Sequence, residues 1–426
     1  MKRTHSWPEG HWDWPFHTSH KHGLRDGEML YVGGQVDLDS SGRVLHPNDL
    51  KRQTAEVMAH IGRVLAGLEA DLGDLVKMVA FYQNDGSRDE AAFLADIARH
   101  LPGDRPGPVI NAVPVPALAY DGMVVEIEVI AMRGANGKRL ERQAASIPGL
   151  WAPPKPLSQA LRVGEMIFVG GASAIGPDGK VGAPGEIVPQ SAIVMDALGE
   201  LLGKLGATHD DAVKINTFYT GGGTVEDWAG AARTRARYFT EPGPAATGIP
   251  LPRHALPGVT TRTEIIAMRG TDGKRLPRQH VWPAGHWDWP FHLPYKHGIK
   301  CGRMVFVGGQ VSMTSDAVII APGDLVKQTR NSMDNIAKVL AGFGLKFDDT
   351  VKINAFYRGG ASARAAEGQS EHPLGLLHRA GTRDHGRSAA DPRLSGHDDR
   401  DRDRSHGGLG AHRVDPGQRG DAGGLS

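Results

Sequence analysis

The chain of 426 residues has a single cysteine, Cys301. It has no apolar run near the roughly 18 residues of a membrane-spanning helix. One cysteine excludes an intrachain disulfide framework and leads us to expect a reducing compartment. The opening Met1-Lys2-Arg3-Thr4-His5-Ser6-Trp7-Pro8 has no apolar stretch behind its positive charges, so no secretory signal is expected and the expected location is cytoplasmic. Charge of one sign is lacking too: 49 Lys+Arg against 48 Asp+Glu leave a formal net charge of +1. That balance removes the electrostatic argument for nucleic acid or an anionic membrane as partner. An apolar share of 40% and a charged share of 23% are ordinary for a soluble globular protein. The length predicts about three domains.

What the sequence has is a repeat of roughly 137 residues. Gly27-Glu28-Met29-Leu30-Tyr31-Val32-Gly33-Gly34-Gln35 recurs as Gly164-Glu165-Met166-Ile167-Phe168-Val169-Gly170-Gly171-Ala172. It recurs again as Gly302-Arg303-Met304-Val305-Phe306-Val307-Gly308-Gly309-Gln310. Each reads as a short buried strand ending in a glycine pair, where the backbone turns or another group approaches closely. Apolar residues at helical spacing follow: Ala55, Met58, Ile61, Leu65 and Leu68; then Ile193, Leu198, Leu201, Leu202 and Leu205; then Met333, Ile336, Val339, Leu340 and Phe343. Asn48-Asp49 marks the first helix start. A second strand is predicted over 76–82, 213–219 and 351–357, and a shorter helix over 89–100 and 225–239. A closing strand is expected over 124–132 and 261–268. This order predicts an α+β unit, one mixed sheet with two helices on one face.

The expected domains are residues 1–134, 135–270 and a partial third copy over 271–360. The third copy stops matching after Tyr357-Arg358-Gly359-Gly360, and residues 361–426 are rich in Arg, Asp, His, Gly and Ser without apolar periodicity, so disorder is expected there. A reading-frame shift accounts for the change. Back-translated and slid by one nucleotide, residues 392–407 can spell His-Ala-Tyr-Pro-Ala-Met-Met-Thr-Glu-Ile-Glu, which matches the start of the missing closing strand. Residues 376–381 can spell Phe-Phe-Thr-Glu-Pro-Gly, which resembles Tyr238-Phe239-Thr240-Glu241-Pro242-Gly243. A genuine low-complexity tail is the alternative.

Pro156-Leu157-Ser158-Gln159-Ala160, running on to Phe168-Val169-Gly170-Gly171, resembles the opening motif of the Rid (YjgF) family, roughly Pro-Tyr-Ser-Gln-Ala and then a strand ending Ser-Gly-Gln. Glu126-Ile127-Glu128-Val129-Ile130-Ala131 is similar to the family's closing strand. The resemblance covers two copies fully and half of the third. It implies a fold like chorismate mutase of the Bacillus type, and a trimer with clefts between subunits, which three fused copies could form as an intrachain pseudo-trimer. It further implies hydrolysis of enamines or imines to ketones and ammonia without a metal or organic cofactor. The partner would be a small unsaturated carboxylate, with a homo-oligomer possible. Relatives that deaminate 2-aminomuconate-type intermediates of aromatic breakdown make that substrate group one expectation.

The transfer of site residues is incomplete. Deaminating members use an arginine before the last strand to hold the substrate carboxylate, a task suited to a planar fork. Here 108–112 and 244–248 contain none. Glu126 matches the family's acidic residue, where the second copy has Arg262; it could orient water or serve as an ion-paired strand residue. The motif tyrosine is Tyr295 in the third copy, Leu157 in the second and His20 in the first. Copies one and three instead share Gly10-His11-Trp12-Asp13-Trp14-Pro15-Phe16-His17 and Gly285-His286-Trp287-Asp288-Trp289-Pro290-Phe291-His292, followed by Lys21-His22 and Lys296-His297. This arm has three readings: an aromatic cleft wall whose Lys or His replaces the arginine, a staple through buried tryptophans, or a metal site from His11, Asp13, His17, His20 and His22, whose spacing fits no defined motif. The first reading makes Glu126, His22 and His297 catalytic candidates. It makes Lys21, Lys296, Tyr295, His17, His292, Trp14 and Trp289 substrate-binding candidates. A non-catalytic ligand-binding or scaffold protein is the competing function.

Overall fold

The structure, a computed structural model, describes residues 3–14, 20–222 and 224–358. His17 and the expected aberrant segment 361–426 lie outside the described residues. Among the described residues no helix is long and apolar enough to cross a membrane.

The first repeat contains β1 (Thr4–Ser6), β2 (Gly23–Asp26), β3 (Met29–Val36), α1 (Leu50–Ala66), β4 (Leu75–Gln83), α2 (Glu90–Arg99), β5 (Val109–Val115) and β6 (Val125–Met132). The second contains β7 (Gln143–Ala145), β8 (Ala160–Val163), β9 (Met166–Ser173), α3 (Ile187–Lys204), β10 (Ala212–Thr220), α4 (Val225–Ala236), β11 (Ala245–Leu251) and β12 (Thr261–Met268). The third contains β13 (Arg278–Val281), β14 (Gly298–Cys301), β15 (Met304–Val307) and α5 (Leu325–Ala341). The first sheet runs β1-β2-β3-β6-β4-β5 and the second, in mirrored listing, β11-β10-β12-β9-β8-β7. Only β4–β5 and β10–β11 are parallel pairs in these two sheets. The third sheet holds β13-β14-β15.

Local chemistry explains these elements. Gly27, Gly164 and Gly302 open the tight turns β2–β3, β8–β9 and β14–β15 at φ of 65°, 57° and 56°, a conformation costly for residues with a Cβ. Asp49 accepts from the Arg52 N–H at 3.0 Å to cap α1, and Asp324 repeats the cap on Lys327 at 3.0 Å in α5. The apolar stripe of α1 (Val57, Met58, Ile61, Val64 and Leu65) is fully buried against Leu30, Met78, Ile127 and Val129.

Four expectations are corrected. The glycine pairs do not end their strands in the first two repeats: β3 and β9 continue through them with a break in register, because a glycine bulge bends a strand without terminating it. The units contain an additional strand, β5 or β11, whose short runs lack the alternation that would have marked them. Residues 351–357 are not a strand, since among the described residues nothing pairs with them. Ile193 faces solvent, being offset from the buried stripe of Val194, Leu198, Leu201 and Leu202.

Every pair of repeats is in contact. Met29, Tyr31 and Val76 share one buried cluster with Leu161, Phe168 and Val213, and with Ile299 and Cys301. Lys77 reaches Glu264, Lys214 reaches Val307, and Lys352 reaches Glu128. The contacts therefore run from the first repeat to the second, the second to the third, and the third back to the first.

Candidate active site

Three crevices arise from this arrangement, each where the lysine-bearing segment of one repeat meets the next: Lys77 and Lys352 reach glutamates of a closing strand, and Lys214 reaches the Val307 carbonyl before the third glycine pair. The lysines recur at one place, directly after a register break in β4 and β10 between Leu75 and Lys77 and between Ala212 and Lys214. A bulge there re-aims the side chain across the boundary.

The crevice between repeats one and two is filled. Lys77 Nζ lies 2.9 Å from Glu264, which also accepts from Asn111 at 3.0 Å and Asn216 at 2.8 Å. Arg262, standing where the first repeat has Glu126, pairs with Glu90 at 2.6 Å and donates to Ser173 Oγ at 3.1 Å and to the Ala112 carbonyl. Both charges are satisfied within the protein.

The crevice between repeats two and three collects four sequence candidates. Tyr295, Lys296, His297 and Trp289 line one small cavity with Trp282 and Gly308. The cavity encloses about 10 Å³, on the scale of a single water. Lys296 Nζ sits 2.7 Å from Glu241, and the exposed His292 lies 3.0 Å from the same carboxylate. This ion pair holds Glu241 below its ordinary range. Tyr295 packs into the second repeat's core with its hydroxyl facing the buried Arg235.

The crevice between repeats three and one contains Glu126. Its neighbour Glu128 is neutralised by Lys352 at 2.8 Å and Asn354 at 2.7 Å, and is held below the usual carboxylate range. Among the described residues Glu126 receives no such hydrogen bond. It is partly open to solvent yet deeply surrounded by protein. Burial, with the Glu128 charge adding to it, pushes its carboxyl up to about 7. The carboxyl rests on Gly34: a Cβ at that residue would lie 1.9 Å from Glu126 Oε1. The glycine pair therefore makes room for an acid that can take or give a proton near neutrality.

The arms form two copies of one bracing network. His11 Nε2 donates to Gln35 Oε1 at 2.8 Å, and Trp12 Nε1 donates to the same oxygen at 3.2 Å. Gln35 Nε2 faces His22 Nδ1 at 3.4 Å, and His22 Nε2 donates to the Trp12 carbonyl at 2.9 Å. His286, Trp287, Gln310 and His297 repeat these contacts at 2.8, 3.1, 3.3 and 2.9 Å. Burial pushes His22 down to about 3 and His297 to about 4, so both are neutral at pH 7. His22 is thus brought into the brace rather than beside Glu126, and His297 edges its cavity as a braced ring. Trp14 stacks on Tyr120 at 5.8 Å, and the exposed Lys21 lies over Trp7 at 5.5 Å. His11 and His22, two members of the metal reading, have these nitrogens committed to Gln35 and Trp12.

Sequence reasoning missed the lysine series Lys77, Lys214 and Lys352, together with Glu128 and Glu264. The available signal was a lysine at the same place in all three copies of an otherwise apolar stretch.

The sequence profile of the family described as Endoribonuclease L-PSP matches residues 16–133, 150–268 and 290–368. The chain belongs to this family and is a tandem-repeat member of the Rid (YjgF) group. A RutC family protein of Pyrococcus abyssi is 32% identical over 65 residues, 15% of this chain and 51% of that protein. The 2-iminobutanoate/2-iminopropanoate deaminase of Escherichia coli K12 is 32% identical over 65 residues, 15% of this chain and 50% of that protein. The chain thus spans about half the length of these curated relatives. Among solved structures, protein YJGH is 24% identical over 32% of this chain and 98% of its own, with a TM-score of 0.26. Escherichia coli TdcF with bound serine is 19% identical over 30% of this chain and 99% of its own, with a TM-score of 0.27.

Proposed function

We propose that the chain is a cofactor-independent hydrolytic deaminase of enamine or imine carboxylates, acting in the crevice between its third and first repeats, with the three repeats serving as an intrachain pseudo-trimer. The observation that carries this reading is Glu126: an acid with a pKa near 7, lodged on a glycine, beside a neutralised Glu128. The imine carbon is already electrophilic. Ionised Glu126 takes a proton from water as the oxygen bonds to that carbon and the C=N electron pair moves to nitrogen, and it returns this proton to nitrogen to give a carbinolamine. It then takes the hydroxyl proton as the C=O bond forms and the C–N bond breaks, and passes it to the departing nitrogen. The products are a ketone and ammonia.

The arginine of the deaminating relatives has no counterpart in residues 108–112 or 244–248, so we assign the substrate carboxylate to Lys21, whose carbonyl borders Gly33. Lys296 and Tyr295, with Trp289 beside them, are the corresponding group in the smaller crevice, with His292 and Glu241 at its edge. His22 and His297 then act as positioning residues through the braces. Trp14 stands at the aromatic edge of the first crevice in this reading, and His17, the other arm candidate, lies outside the described residues. Imines related to those named in the Escherichia coli deaminase, and flat conjugated acids such as 2-aminomuconate, are the substrate classes to compare. Ammonia release from 2-iminobutanoate generated in place by an amino-acid oxidase, and from 2-aminomuconate, tests the proposal. Turnover of either supports it, and release no faster than the buffer for both contradicts it.

A non-catalytic ligand-binding role is favoured by one specific feature, the filling of the first crevice by Arg262 and Glu90. Ligand-dependent thermal stabilisation without turnover would support that role.

A further inference from the structure

The first two sheets share one centre. β6 lies between β3 and β4, and β12 lies between β9 and β10, each antiparallel to both flanks. The third repeat has the two flanks, β15 and residues 351–357, but among the described residues no strand joins them. Residues 351–357 are nonetheless held in place at the boundary with the first repeat, by Lys352 on Glu128 and by Phe356 against Phe81 at 5.9 Å. Their inner positions are open: Ile353 is 41% and Tyr357 47% exposed, whereas the matching Met78 and Tyr82 are both 0%. The four residues of β15 are half-buried, whereas Met29, Leu30, Tyr31 and Val32 are buried.

Charge gives the second observation. Lys77 pairs with Glu264 and Lys352 with Glu128, and both glutamates hold the same place in their middle strands, four residues before Met268 and Met132. Lys214 is the third of the series. It is half-buried and bonded to Thr247 Oγ1 and the Val307 carbonyl, both at 2.7 Å, with no ion pair among the described residues. Its ammonium points at the end of β15, the flank on which a middle strand would lie.

We propose that the third sheet is an acceptor for an extended strand with alternating apolar residues and two glutamates, inserted between β15 and residues 351–357, with its second glutamate on Lys214. The occupant is a strand of the type of β6. The shifted reading of the codons for 392–407 can spell one, Glu-Ile-Glu-Ile-Val-Ala, in register with Glu126-Ile127-Glu128-Val129-Ile130-Ala131. Main-chain hydrogen bonds to the exposed β15 edge supply affinity, and the Lys214 charge sets the register.

A fluorescein-labelled peptide, Met-Thr-Glu-Ile-Glu-Ile-Val-Ala with a lysine tail for solubility, is titrated into the full chain and followed by anisotropy. The expected result is saturable one-to-one binding with a rise in the unfolding temperature. Replacing the second glutamate by methionine weakens binding at least tenfold, and Lys214→Met restores the affinity of that altered peptide. Absent or non-saturable binding, equal binding of a scrambled peptide, or binding indifferent to Lys214 overturns the proposal. A dimer of the chain that the peptide does not displace also overturns it. No turnover is measured, so the result is independent of the deaminase reading.

Discussion

Lys352 of the third repeat places its ammonium 2.8 Å from Glu128 of the first, across a boundary separated by 224 residues of chain. This pair closes the path of contacts from the last repeat back to the first. It also sets the charge beside Glu126, since Lys352 is the cation that draws the Glu126 carboxyl downward against the effect of burial.

Substituting Lys352→Met leaves Glu128 buried without its cation. Breaking one partner of a buried pair costs about 3–5 kcal/mol, so urea unfolding should show a loss of that order. The Glu126 carboxyl should also titrate higher than in the parent chain. The double variant Lys352→Met with Glu128→Leu should recover most of the stability, because neither charge is then stranded.

Stability should fall as pH rises through neutrality by way of Glu126. Its folded value of about 7 lies above the ordinary 4.5, so the unfolded chain gives up this proton first. The folded state is favoured fully below pH 4.5, and the advantage is gone once pH passes 7. Glu126→Gln removes the titration. Thermal unfolding midpoints of parent and variant between pH 4.5 and 8 should diverge with rising pH, in favour of the variant.

Gly34→Ala should separate the site from the fold. The added Cβ meets the tip of the Glu126 side chain at 1.9 Å, and that flexible carboxyl can swing away. The backbone at Gly34 is not in the left-handed region, so no strain is added there. The expected outcome is a change in unfolding free energy of about 1 kcal/mol or less, with loss of at least tenfold in kcat/KM for the imine substrate.

The two braces predict acid sensitivity. His22 and His297 have folded values of about 3 and 4, below the ordinary 6.5. Their contribution is fully present above pH 6.5 and drains away as pH falls toward those folded values. Each histidine should add about 1.4 kcal/mol per pH unit to the slope of stability in that window. The variant His22→Asn with His297→Asn should start from lower stability at pH 7 and show a flatter acid limb in urea titrations.

The repeat, the order of its main elements and the family were legible in the sequence because three copies carry the same strand and glycine pair, and two carry the closing strand. The glycine bulges were not, since a strand that bends and one that stops read alike over so few residues. β5 was hidden because a parallel strand buried on both faces lacks alternation, and β11 because Gly248 and Pro250 interrupt it. Glu126 could be singled out from a single position in the closing strand. Its partners could not: Glu128 and Lys352 belong to different repeats and meet only through the closure of the chain. The arm's Trp and His residues were visible as a repeated pattern, yet their roles depended on Gln35 and Gln310, ordinary residues behind the glycine pairs.

The most direct test of the account is the pH profile of ammonia release from 2-iminobutanoate or 2-aminomuconate, measured for the parent chain and for Glu126→Gln. The account predicts kcat/KM rising through a midpoint near 7 in the parent, and a loss of about a hundredfold or more in the variant with that limb abolished. Full activity in Glu126→Gln, with an unchanged profile, would contradict it.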